Sequence, residues 1–128
     1  PCYPVSQHVA EKMHAYVSPH PTGANTRVRD LVDLVLLARN CSVDGKKLHA
    51  ALQATFVARD FGPPPVSLPD PPADWRASFK LLCAQVGLKE LDLAAATTEV
   101  RRFLEPVLQA PVAGVWSPEQ QAWVPTTP

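Results

Sequence analysis

NTRVRDLVDLVLLA, residues 25–38, decides how the rest of the chain is read. At ~100° per residue, Val28, Leu31, Val32, Val35 and Leu36 gather on one side of a helix. Arg27, Asp30 and Asp33 fall on the other side, three residues apart. Leu34 and Leu37 lie within that charged side, so it is not a freely solvated face. The plainer reading is a surface helix with an Arg27–Asp30 pair at i, i+3, worth a few tenths of a kcal/mol. The two leucines argue for cover over the carboxylates instead. Covered carboxylates cost several kcal/mol unless paired or bound to a ligand.

A partner lies upstream. HVAEKMHAYV, residues 8–17, carries Lys12 on a helix expected from Ser6 to about Tyr16, with Ser6 as its N-cap. SPHPTGAN, residues 18–25, breaks it with proline and glycine. If the two helices pack antiparallel, Lys12 faces Asp30. A lysine, an arginine and two carboxylates in one cleft suit phosphoryl chemistry. The cations hold phosphates, while a carboxylate orients or deprotonates the attacking hydroxyl or helps to hold a metal.

The rest of the chain reads as helices. A third helix is expected near Ser42, which would cap it, with Leu48, Leu52 and Phe56 as its seam. A proline-rich loop over about 62–72 should lie as stiff extended chain against the body. Pro71 and Pro72 would open a fourth helix, with Trp75, Phe79, Leu82, Cys83 and Val86 inward and Gly87 as its stop. A fifth spans about Leu93 to Leu108, with Val100, Phe103, Leu104 and Val107 inward, and Pro106 should kink it or end its regular bonding. In the tail, about 112–125, Val115-Trp116 pairs with Trp123-Val124 across a polar turn, a small hairpin whose tryptophans should rest on the helices. The expected fold is mainly α: one domain over 1–128, a bundle of about five helices with a short C-terminal β-hairpin.

The totals exclude some classes. Lys plus Arg equals Asp plus Glu at 12 each, so bulk charge argues for neither nucleic acid nor membrane. Three separated cysteines, Cys2, Cys41 and Cys83, read as free thiols in a reducing compartment. With no signal peptide and no apolar run of about 18 residues, the chain reads as cytoplasmic. His8, His14, His20 and His49 are scattered, and His8 and His14 face nearly opposite ways on one helix, a poor metal pair. An N-terminal proline can serve as a general base in tautomerases, but those need a β-α-β unit directly after Pro1. Arg101, Arg102, Lys46, Lys47 and Arg59 read as solvated helix surface, with RNA-backbone contact as the alternative. Trp75, Trp116 and Trp123 read as core and hairpin anchors rather than base-stacking platforms.

AEKMHAY followed by NTRVRDLVDLVLLA resembles the last two motifs of the AbiEii-type nucleotidyltransferase toxins of type IV toxin–antitoxin systems. Lys12 and Ala15 match the family's lysine helix; Arg27, Asp30 and Asp33 match its Arg-x-x-Asp-x-x-Asp. The downstream ALQATFVARD, the proline-rich loop, Trp75 and FLEPVL resemble the family's helical C-terminal half. The resemblance implies nucleotide transfer from an NTP with Mg²⁺ to an acceptor, with RNA the expected one, and a cognate antitoxin as partner. It implies Lys12 on the triphosphate, Asp30 as the catalytic carboxylate, and Arg27 and Asp33 orienting them. The family's Gly-rich turn and metal-binding Asp-x-Asp strand have no counterpart here. The chain is therefore expected to be the C-terminal half of such an enzyme, with no metal ligands of its own, needing an N-terminal catalytic half and showing little activity alone. The competing reading is a non-catalytic helical module that binds an antitoxin or completes a partner chain's site.

Overall fold

A computed structural model describes residues 5–17, 24–60, 62, 64–65, 67–71, 75–88 and 91–125, with residues 24–26 described for the backbone only. Pro1, Cys2, His20, Pro72 and most of the 18–25 break lie outside these residues. Among the described residues, five helices, α1 (Val5–Val17), α2 (Ala24–Asn40), α3 (Gly45–Ala58), α4 (Arg76–Gln85) and α5 (Leu93–Gln109), form the body. Strands β1 (Val43–Asp44), β2 (Gly114–Ser117) and β3 (Ala122–Pro125) form an antiparallel sheet in the order β1-β2-β3. The fold is mainly α, as expected, and the hairpin has the expected register, Trp116 opposite Trp123 and Val115 opposite Val124. The third strand was not legible, because two residues carry no alternation to read.

That strand also moves a helix start. Val43 and Asp44 pair with Trp116 and Val115, so the chain stays extended past Ser42. Asp44, not Ser42, caps α3, accepting from the Lys47 N–H at 3.0 Å. Gly45 then packs directly on the Val112 backbone, where any side-chain carbon would collide with the Val112 carbonyl. Ser6 sits inside the first turn of α1 rather than at its cap. The seam of Leu48, Leu52 and Phe56 is fully buried, as expected.

The proline-rich segment does lie against the body. Leu68 is buried, the Tyr16 hydroxyl donates to the Pro69 carbonyl at 3.1 Å, and Arg101 Nη2 donates to the Leu68 carbonyl at 3.0 Å. Residues 68–71 lie in neither helix nor strand, so Pro71 does not open α4, which begins five residues later at Arg76. Trp75, Phe79 and Cys83 face inward, but Val86 does not. It follows the last helical residue and turns outward at 45% exposure. Gly87, at φ +83°, closes the helix as expected: the Leu88 N–H returns to the Cys83 carbonyl at 2.7 Å.

α5 is capped by Asp92, whose carboxylate accepts from the Ala95 N–H at 2.7 Å. Val100, Phe103, Leu104 and Val107 are buried as expected. Pro106 does not end the helix, which continues to Gln109. The carbonyl deprived by Pro106 belongs to exposed Arg102, where water can serve it. The Val107 carbonyl lies in the last turn of α5, where the helix end leaves it without an intrahelical donor. His49 on α3 supplies the missing donor through Nδ1 at 2.6 Å. This histidine is therefore half-buried with a structural bond. Cys41 and Cys83 are free thiols, and burial pushes the Cys83 thiol up.

Candidate functional site: a lysine between two carboxylates

α1 buries Val9, Ala10, Met13 and Tyr16, and α2 buries Val28, Leu31, Leu34 and Val35. Lys12 lies among the buried positions of α1 and is carried to the edge of the α1–α2 contact. Its ammonium sits 2.9 Å from Asp33 Oδ2 and 3.5 Å from Asp30 Oδ1. Asp30 and Asp33 are three residues apart on α2, which sets both carboxylates on one face. Asp30 is 5% exposed and Asp33 half-buried. Leu34 is fully buried and Leu37 partly so, so the acidic side of the helix is covered as its leucines required.

The electrostatics follow from the geometry. The hydrogen bond to Asp33 raises the Lys12 pKa above its ordinary value. Desolvation pulls the other way, and the charges of Asp33 and Asp30 reinforce the rise. Lys12 is thus held firmly as an ammonium ion. Arg27 lies one turn earlier on α2 and is half-buried. Its Nε is buried, with no hydrogen-bond partner among the described residues. A buried N–H left unsatisfied costs about 1–3 kcal/mol. On the other side of α1, the Gln7 amide donates to Glu11 at 3.1 Å and to the buried Thr55 hydroxyl at 3.0 Å, bracing α1 against α3.

Whether these residues could hold a divalent cation is answered by their donor set. Two carboxylates already shared by an ammonium ion leave a cation to repel a cation. Among the described residues, no group of three or more His, Cys, Asp or Glu could hold a metal. The residues present do not fit a divalent ion.

Two clusters were not legible in the sequence. Arg39 on α2 makes a forked pair with Glu99 on α5, at 2.9 Å and 2.7 Å, which raises the Arg39 pKa. The partners are 60 residues apart, so no local spacing signals them. Arg101, read from sequence as solvated surface, is half-buried and holds the Leu68 carbonyl and the Asp70 carboxylate. Arg102, Lys46, Lys47 and Arg59 are exposed, as expected. His14 lies edge-on to Phe56 at 5.2 Å, and burial first, then Arg59, lowers its pKa.

The family model described as nucleotidyl transferase AbiEii toxin, type IV TA system, matches residues 1–116. The chain belongs to the AbiEii family. No curated protein and no solved structure gives a significant match. Family membership carries with it nucleotidyltransferase chemistry, general use of NTP and a divalent metal, and a cognate antitoxin. Among the described residues, no helix is long and apolar enough to cross a membrane.

Proposed function

We propose that the chain supplies the helical half of a nucleotidyltransferase site, with Lys12 binding the triphosphate and Asp30 acting on the acceptor hydroxyl. The observation that carries this reading is the Lys12 ammonium between Asp30 and Asp33. An ammonium kept charged by two carboxylates is ready for phosphate oxygens, and it can pass from one anion to another without leaving the cleft. Asp33, the more exposed carboxylate, holds Lys12 in place before a nucleotide arrives. On this reading Asp30, nearly buried beside the Lys12 ammonium, takes the proton of the acceptor hydroxyl. The spare Nε–H of Arg27 is a donor for a phosphate oxygen. The metal that the family uses would be held by residues other than these, because their donor set does not suit it. RNA is the acceptor we favour.

The test has two parts. Binding of a fluorescent NTP to the chain should weaken at least about tenfold in Lys12→Gln, the loss expected of one charge-assisted bond of ~1.5–3 kcal/mol. Transfer of labelled nucleotide to RNA should appear when a segment bearing the Gly-rich turn and Asp-x-Asp strand is supplied, in cis or in trans, and should vanish in Asp30→Ala. Equal transfer by Asp30→Ala and the parent would remove Asp30 from the chemistry. If no NTP binding and no transfer occur but an antitoxin binds, the chain is the interaction module instead.

A further inference from the structure

A groove of about 750 Å³ opens between α4, the start of α5 and the extended segment at Asp70 and Pro71, and Lys12, Arg27, Asp30 and Asp33 take no part in its lining. Arg76 and Lys80 project along one wall, one helical turn apart on α4. Both are exposed, and among the described residues neither joins an ion pair. Among the described lining residues, Asp70 pairs with Arg101 and Asp92 caps α5. Three cations, Arg76, Lys80 and Arg101, stand against these two carboxylates, a surplus of one positive charge. Pro71, Phe79, Leu91 and Leu93 give it an apolar floor beside those cations.

We propose that this groove binds single-stranded nucleic acid. Arg76 and Lys80 each take a backbone phosphate, and the apolar floor takes a sugar or base face. A phosphodiester chain repeats one charge per unit with an apolar surface between, which suits cations spaced along a wall above such a floor. The Arg76 guanidinium adds a planar fork for phosphate oxygens. An acidic peptide fits less well. Extended peptides gain affinity from backbone groups at a sheet edge, and none of the described strands lines the groove. The nearby Leu68 and Pro69 carbonyls are taken by Arg101 and Tyr16. The site is separate from the Lys12–Asp30 reading, and its test is a binding measurement that alters none of the residues of that reading.

The test is the fluorescence anisotropy of a short labelled single-stranded RNA, titrated with the chain at several salt concentrations. Binding should weaken steeply with salt. The Arg76→Gln/Lys80→Gln variant should bind roughly tenfold more weakly at low salt, whatever the RNA sequence, with its log–log salt slope shallower by about 1.4 for two lost phosphate contacts. Arg102→Gln, an exposed α5 residue outside the groove, should match the parent. Thr98→Glu, which places a carboxylate in the groove from an exposed position, should weaken binding independently of the α4 variants. The proposal is overturned if the parent shows no salt-dependent binding, or if the double variant and Thr98→Glu bind as Arg102→Gln does. It is equally overturned if free nucleoside monophosphate displaces the RNA at matched phosphate concentration, or if an acidic peptide binds where RNA does not.

Discussion

At the contact of α1 with α2, an ammonium ion lies between two carboxylates, one of them nearly buried. Where the hairpin meets α2 and α5, the polar groups are two neutral indole N–H donors. The Trp116 N–H donates to the Ala38 carbonyl of α2 at 2.6 Å and the Trp123 N–H to the Phe103 carbonyl of α5 at 2.9 Å. Phe103 packs on both rings, at 4.9 Å and 6.0 Å between centroids. The second arrangement buries large apolar surface at little desolvation cost, and it anchors a hairpin that alone would be marginal. The first is a poor stabiliser, because ionic groups taken out of water recover only part of their hydration energy from each other.

The contrast can be broken from either end. Trp116→Ala should have the largest effect, about 3–5 kcal/mol lost in urea unfolding. It removes a ring 1% exposed and strands the Ala38 carbonyl, and it should leave NTP binding by the folded fraction unchanged. A loss below 1 kcal/mol would mean that the hairpin contributes little to the body.

Lys12→Met should cost less, about 1–3 kcal/mol, by leaving Asp30 buried without its ammonium. Adding Asp30→Asn should restore much of that loss, a coupling measurable by a double-mutant cycle. Additive losses would show that the pair does not interact.

The smallest effect is expected in alkali. Burial first pushes the Tyr16 phenol up to about 12, and its neighbour Asp70 adds to the rise while Arg101 opposes it; Lys12 is also raised, above 10.5. Both groups bind their protons more tightly in the folded chain than in the unfolded one. Their contribution is whole below the unfolded values near 10 and is lost as pH rises through the folded ones. Stability should therefore decline between about pH 10 and 12, and more gently in Tyr16→Phe, which has no phenol to ionise. An unchanged slope in that variant would remove Tyr16 as a cause.

Much of the fold and of the candidate site was legible, for reasons visible in particular residues. Leu48, Leu52 and Phe56 mark their helix because burial recurs at the helical period, and Gly87 marks a stop because few other residues accept positive φ. Asp30 and Asp33 could be placed on one face because helix geometry is local. Their meeting with Lys12 could be anticipated because only a short break separates the two helices. Ser42 misled as a cap because the true start of α3 was set by β2, some seventy residues away in sequence. Arg101 misled because its partners, Leu68 and Asp70, come to it only when the proline-rich segment folds back.

By itself, then, the sequence determined the helices, the hairpin and the charged face of α2, since periodicity, capping and turn chemistry act over a few residues. Only the tertiary structure decided that β1 completes a sheet, that Arg39 grips Glu99, that His49 serves a carbonyl in the last turn of α5, and that Arg76 and Lys80 share a groove with α5. Each of these joins groups far apart in the chain. Such a pairing leaves no local pattern, because its energy is gained only after the backbone has closed around it.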